Sequence, residues 1–330
     1  MPLTLLKKSL NNMAIALCCA WLGLTSTASI AQADDGLLNA LNATLMYNPA
    51  VRGKQAEVAS KNYMVDSAKA QRYPTLSAQA NALKDNTQSS SITARQPIWA
   101  FGRIDNTIAY ADVDVMVNLA DLARIKQDLI DKTATAYARV QGVMQKKIIA
   151  QQNVEALTIL YEQIQRREKA QLASIADVRL ANARRVQAIA QQVRFEGEYD
   201  VAQNELIALT QTRIQVAEKV DATITQLPDL ATLLDLSITQ SAAIAHKKTL
   251  VDLAKADSER EKTRVMPTVY LQAQYYKNYG PSNASDTQIG INVEANLEGM
   301  GFAAQGRNSA FDAKVAAARQ DLKATENEIK

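Results

Sequence analysis

The chain has few of the groups on which most enzymes rely. Its two cysteines, Cys18 and Cys19, lie in the first 33 residues, and its one histidine, His246, sits beside Lys247 and Lys248, where a surface position is expected. Without that first segment there is no thiol for a disulfide or a thiolate metal site. Nucleophile elbows, phosphate loops and metal-ligand clusters are missing too, so neither an enzyme nor a cofactor is expected. Basic and acidic residues nearly balance, 37 against 34, which argues against a nucleic-acid partner. After Ala33 no apolar run is long enough for a membrane helix, and any membrane-embedded part must be β-structure. Proline is absent from Ile98 to Leu227, a stretch of 130 residues. That leaves room for helices longer than any ordinary globular domain.

What is present begins with an export signal. Lys7 and Lys8 precede an apolar run from Met13 to Leu24, and Ala31-Gln32-Ala33 offers the small residues that a signal peptidase needs. Residues 1–33 are therefore expected to be a cleaved signal peptide. No small residue precedes Cys18 or Cys19 as lipoprotein processing would want. Removing Lys7 and Lys8 leaves the remainder with one net positive charge.

Inside the proline-free stretch, Ile108, Val115, Leu122, Leu129, Ala136, Val143, Ala150, Leu157 and Ile164 recur every seventh residue. Such a seam faces a partner helix over many turns. The pattern stops near Gln171, and Ser174-Ile175-Ala176-Asp177 reads as a capping box that starts a second helix. At ~1.5 Å per residue the first arm, roughly 103–171, is about 100 Å long, and the second, expected to run to about 226, about 80 Å.

Around this hairpin the chain repeats itself. A helical pattern from Leu37 to about Tyr73 breaks at Asn48-Pro49 and ends at Pro74. Leu76, Ala78, Ala80 and Ala82 then alternate with polar neighbours, and after a polar turn over 85–90 a returning strand places Ile92, Ala94 and Ile98 on one side. Later, a helical segment from Leu230 to about Val265 stops at Met266-Pro267. There follow two more alternating runs, Val269 to Tyr275 and Ile289 to Leu297, joined by a loop at 280–283. A shift of 193 residues lays Pro74-Thr75 on Pro267-Thr268, and after a longer loop Gly102 meets Gly301. Three divisions are expected: signal peptide 1–33, first repeat 34–229 with its strand hairpin 74–98 and long hairpin 103–226, and second repeat 230–330 with its strand hairpin 267–297. Relative to the first repeat, about 97 residues of a second long hairpin are missing, and an incomplete reading frame is one expectation.

Four amphipathic strands cannot close a membrane barrel, because small barrels need about eight and an open edge in lipid leaves backbone groups unsatisfied. Several chains would have to contribute to one barrel. Leu76, Ala78, Val269, Leu271, Ile289, Ile291 and Val293 would then meet outer-membrane lipid. Gln79, Asn81, Gln272, Gln274, Asn292 and Glu294 would line a wet lumen, with Tyr73, Trp99, Tyr270, Tyr275, Tyr276 and Tyr279 near strand ends as an aromatic girdle. A soluble sheet packed on helices shows the same alternation. The signal peptide and the tunnel-length helices tip the balance toward the barrel.

Gln96-Pro97-Ile98-Trp99-Ala100-Phe101-Gly102-Arg103, entering a long helix, resembles the strand-to-helix junction of TolC-family outer-membrane efflux proteins. The Asn48-Pro49 break, the Pro74 and Pro267 turns and the two-fold repeat are similar to that family as well. The resemblance implies a mainly α fold with two β-hairpins, in which three protomers form a twelve-stranded outer-membrane barrel continued into a periplasmic α-helical tunnel. It implies a passive channel of a tripartite export system, for type I secretion or multidrug efflux. The partners would be a periplasmic adaptor (membrane fusion) protein and, through it, an inner-membrane transporter. Leu172, Ala173, Ser174, Ile175, Ala176 and Asp177 resemble the adaptor-docking tip, with Asp177 a candidate gate residue, although Gln171 stands where the family tip usually has glycine. The competing classes are a truncated non-functional fragment of such a channel and a periplasmic coiled-coil adaptor or scaffold. An adaptor would need compact lipoyl-like halves flanking the hairpin, and none is evident.

Overall fold

In a computed structural model, residues 35–82, 88–217, 229–279, 284–295 and 301–329 are described, all within the unit Asp34–Lys330. The expected signal peptide, the loop at 280–283, Leu297, the boundary at Leu227-Pro228 and half of the first polar turn lie outside these residues. The elements are α1 (Asp35–Tyr47), α2 (Pro49–Ala70), β1 (Thr75–Ala82), β2 (Gln88–Trp99), α3 (Arg103–Lys169), α4 (Ile175–Thr210), α5 (Leu230–Gln240), α6 (Ala242–Arg264), β3 (Thr268–Asn278), β4 (Ser285–Glu294) and α7 (Phe302–Ile329).

α3 is the spine. Its nine heptad positions from Ile108 to Ile164 are all buried or half-buried, as the seven-residue spacing predicts. Along its length it changes partners, packing on α2 and α6 and, over its later part, on α4. Charged contacts hold the α2 side: Lys61 pairs with Asp114 at 2.8 Å, and Lys54 pairs with Asp121 at 2.9 Å while donating to Asn118 Oδ1 at 2.8 Å. Burial pushes the Lys54 ammonium down, but Asp121 and Glu57 together outweigh it and leave the group above the ordinary lysine value. On the α4 side an exposed ion pair, Arg139 with Glu205 at 2.7 Å, accompanies close packing. Ala136, Tyr137 and Val140 form a buried cluster with Ala40 of α1 and with Ala202 and Leu206 of α4. Small residues at such positions let helix backbones approach closely.

The second arm is shorter than expected, because α4 ends at Thr210 and not near 226. The Thr210 hydroxyl bonds back to the Leu206 carbonyl at 2.9 Å, and Gln211 turns left-handed at φ 58°. The chain then returns along α3 without regular structure. Tyr137 Oη accepts from Ala217 N–H at 3.2 Å, Gln141 Nε2 donates to the Ala217 carbonyl at 3.2 Å, and Ile214 and Val216 pack on the buried cluster. The polar run Thr210-Gln211-Thr212 suits this exit, because the threonine hydroxyls compete for backbone hydrogen bonds.

The order α1, α2, β1, β2, α3 recurs as α5, α6, β3, β4, α7. Asn48 caps α2, its Oδ1 accepting from Ala50 N–H at 2.9 Å, and Pro49 occupies the first helical turn. At the same 193-residue shift Ser241 breaks the segment that was expected to be one helix from Leu230 to Val265, and its Oγ accepts from Ile244 N–H at 3.3 Å. Gly102 and Gly301 open α3 and α7 with φ of 82° and 93°, the left-handed region that glycine adopts without a Cβ clash. His246 is half-buried on α6, and burial pushes its imidazole below the ordinary value.

β1 to β4 form one antiparallel meander in chain order. Among the described residues no helix is long and apolar enough to cross a membrane.

Candidate functional site

Register decides what the sheet presents, since directly paired residues share a face. Gln79 pairs with Ser91, Asn81 with Ser89, and Thr93 and Arg95 pair across to Gln274 and Gln272. Gln274 pairs with Gln288, Tyr270 with Asn292, and Thr268 with Glu294. All six residues expected to line a lumen therefore lie on one face, two from the first hairpin and four from the second. Asn292 Nδ2 donates to Gln272 Oε1 at 3.2 Å, and Gln272 Nε2 to Gln274 Oε1 at 3.2 Å, so neighbouring amides satisfy one another. The opposite face carries Leu76, Ala78, Ile92, Ala94, Leu271, Ala273, Ile289, Ile291 and Val293. Leu76, Ile289 and Ile291 are 72–75 % exposed, so this apolar face is uncovered.

Two details depart from strict alternation. A β-bulge between Pro97 and Trp99 slips the register past Ile98, so that Trp99, not Ile98, stands opposite Val269 on the apolar face. The expected aromatic girdle is also divided. Tyr275 and Trp99 belong to the apolar face, whereas Tyr270 and Tyr276 pair with Asn292 and Asp286 on the polar one.

The polar face holds charges that alternation alone did not single out. Arg95 lies 3.9 Å from Glu294, its Nε buried without a hydrogen-bond partner, and Asp286 stands toward the loop end, where its carboxylate accepts from Gln288. The period-two spacing of Ser91, Thr93 and Arg95 already puts Arg95 on this side of β2. Its approach to Glu294 depends on pairing across β3, which a single sequence does not reveal.

At the far end of the long hairpin the tip is closed by local hydrogen bonds. Leu172 N–H donates to the Arg167 carbonyl and Gln171 N–H to the Glu168 carbonyl, both at 2.8 Å, which is the Schellman pattern. Gln171 takes the left-handed position at φ 54°, the conformation that favours glycine. Ser174 then caps α4. Its Oγ accepts from Asp177 N–H at 3.2 Å, and the Asp177 carboxylate accepts from Ser174 N–H at 3.0 Å and Ser174 Oγ at 2.7 Å. These bonds from Ser174 hold the Asp177 carboxyl below its ordinary value. Leu172 and Ile175 are exposed, 71 % and 61 %, with Ala173 half-buried and Ala176 exposed between and beside them. The tip is thus a short apolar knob with one carboxylate. Among the described residues no group of three or more His, Cys, Asp or Glu side chains is placed to hold a metal ion.

A meander with one polar and one apolar face, continuous with helices of tunnel length, defines a membrane channel component. Residues 40–211 match the outer membrane efflux protein family, and the chain belongs to that family. It is an outer-membrane protein, and its family consists of efflux proteins, not enzymes. Solved structures share the fold. CusC, described in terms of folding and transmembrane channel formation, is similar at TM-score 0.70 and 17% identity, covering 90% of this chain and 72% of its own. The outer membrane protein VceC of Vibrio cholerae is similar at 0.67 and 15%, covering 89% and 76%. The MtrE outer membrane channel of Neisseria gonorrhoeae, in its open state, is similar at 0.63 and 16%, covering 89% and 72%. No curated protein sequence matches significantly.

Proposed function

We propose that the chain is the passive outer-membrane channel-tunnel of a tripartite export system, of the type I secretion or multidrug-efflux kind, acting as a homotrimer. The observation that carries this is the one-sided sheet, in which residues from both hairpins assemble a single polar face backed by a single uncovered apolar face. With strands of 8–12 residues, the meander has the length of a membrane-crossing β-segment. Its two edges, on β1 and β4, carry backbone groups that lipid cannot satisfy. An even number of alternating strands lets β4 of one copy pair antiparallel with β1 of the next. Three copies then close twelve strands, with Gln79, Asn81, Gln272, Gln274, Asn292 and Glu294 lining the lumen.

The knob formed by Leu172 to Asp177 is the docking point for a periplasmic adaptor, which links the channel to an inner-membrane transporter. Its exposed Leu172 and Ile175 and its rigid cap support this. Cysteines placed at Leu172 and Ser174 should form disulfide crosslinks to the adaptor during active export, and no crosslink at either position would overturn the docking assignment. The processed chain offers a cysteine-free background for that test. As the candidate gate, Asp177 would release Ser174 for a cationic partner on a neighbouring arm. Single-channel conductance of Asp177→Asn should then rise, whereas an unchanged conductance restricts Asp177 to its cap.

A further inference from the structure

Where the sheet meets the helices, three elements enclose a cavity of about 220 Å³. Arg72, just beyond α2, forms one wall, Pro97, Ile98 and Trp99 at the end of β2 form the second, and Asp105 in the first turn of α3 forms the third. The walls are fastened to one another. Gln96 Nε2 donates to the Arg72 carbonyl at 2.9 Å, and Arg103 N–H to the Ala100 carbonyl at 2.9 Å, so one side-chain bond and one turn bond fix the walls relative to one another.

Its lining is chemically divided. Ile98 and Trp99 are 57 % and 61 % exposed, an apolar surface continuous with the uncovered sheet face because the bulge re-aims Trp99. Beside them Arg72 Nη2 and Asp105 Oδ1 meet at 2.6 Å, with both side chains more than half exposed. An ion pair so exposed contributes little to stability and can exchange partners readily. An apolar shelf next to a positive and a negative group, at the level where the sheet leaves the membrane, has the polarity of a lipid's upper chain and headgroup.

We propose that this cavity takes the headgroup of a zwitterionic aminophospholipid, with its phosphate on Arg72, its ammonium on Asp105 and its chains along Ile98 and Trp99. Guanidinium matches phosphate oxygens through paired N–H donors, and a primary ammonium supplies the donors that a carboxylate accepts. A trimethylated ammonium supplies none, so a choline lipid keeps the charge and loses the hydrogen bond. The inference rests on the sheet crossing the outer membrane.

Trp99 is the probe. Its emission is isolated as the difference between the full-length wild type and Trp99→Phe, each reconstituted in vesicles whose lipid is brominated in the upper chain. Brominated phosphatidylethanolamine should quench Trp99 about threefold more than brominated phosphatidylcholine at equal mole fraction, the size expected where one exposed charge contact discriminates. Asp105→Asn should abolish that preference while Asp105→Glu retains it, and Arg72→Gln should weaken quenching by both lipids. Equal quenching by the two lipids in the wild type would overturn the headgroup site, leaving only generic membrane contact. Absence of quenching would overturn it too, since another protein surface then covers the cavity. Ion conductance of the same vesicles separates the outcomes: loss of conductance in the wild type counts against the channel itself, whereas intact conductance without a lipid preference counts against this site alone.

Discussion

α1 and α5 are counterparts in the two repeats, yet they meet different surroundings. α1 lies on α3 and α4, with Ala40 and Thr44 fully buried. α5 has no buried residue, and at the same shift Leu233 is 39 % exposed where Ala40 is 0 %. The caps between helices are nevertheless matched, Asn48 in one repeat and Ser241 in the other. Local chemistry thus sets where a helix begins, while burial depends on what lies beneath it. The difference also shows in side-chain size, since a close helix contact admits only alanine and an open surface accepts leucine.

Four experiments sharpen or break this contrast. The largest effect is expected from Ala40→Leu, which adds volume where there is no space and should lower stability by up to about 3 kcal/mol. Leu233→Ala should change it by no more than about 0.5 kcal/mol. Thermal unfolding of the detergent-solubilised protein, followed by helical circular dichroism, measures both, and equal losses would erase the distinction.

Next is the buried hydroxyl pair between α1 and α3, Thr44 Oγ1 and Thr133 Oγ1 at 3.0 Å. Thr133→Ala deprives the Thr44 hydroxyl of this partner and should cost about 1–2 kcal/mol, most of it recovered in the Thr44→Val/Thr133→Val double variant. Its counterpart in α5, Ser237, is only half-buried and bonds within its own helix, so Ser237→Ala should be close to neutral in the same melt. A third comparison sets the caps against each other. Asn48→Ala removes both the cap and the bond from Nδ2 to the Leu209 carbonyl at 2.9 Å, and should cost about 2 kcal/mol against about 1 kcal/mol for Ser241→Ala.

The smallest effect is at the tip. A carboxyl held below its ordinary value in the folded state contributes stability that is present above the unfolded value and is lost as pH falls through the folded one. Asp177 should therefore support the start of α4 at neutral pH and cease to do so in acid, below about pH 4. Hydrogen exchange at the amides of residues 174–178, corrected for intrinsic rates, should show protection falling across that range in the wild type and already reduced in Asp177→Asn.

Much of this was legible in the sequence for identifiable reasons. Period-seven spacing, proline positions and a four-residue capping box are local signals, and α3, the Asn48 break and the start of α4 follow from them. Period two sorted the six residues expected to line a lumen onto one face because register in an antiparallel meander preserves it. The end of α4 was missed because it depends on Tyr137 and Gln141 gripping Ala217, contacts 80 and 76 residues apart in the chain. Ser241 carried a usable signal, the repeat shift from Asn48, which outweighs the uninterrupted helical pattern around it. The Arg95 approach to Glu294 and the cavity by Trp99 require tertiary placement and have no local signature.

The bulge between Pro97 and Trp99 has a further consequence for how the chain changes from one kind of structure to another. A strand repeats its facing every two residues and a helix every 3.6, so a junction between them must set a phase. By consuming one residue at Ile98, the bulge advances the chain half a strand period just before the left-handed pair Phe101-Gly102, at φ 47° and 82°, starts α3. Deleting Ile98 would leave strand and helix intact as elements but rotate the whole heptad seam relative to the sheet. The single bulged residue is in effect the indexing pin between the membrane part and the tunnel part.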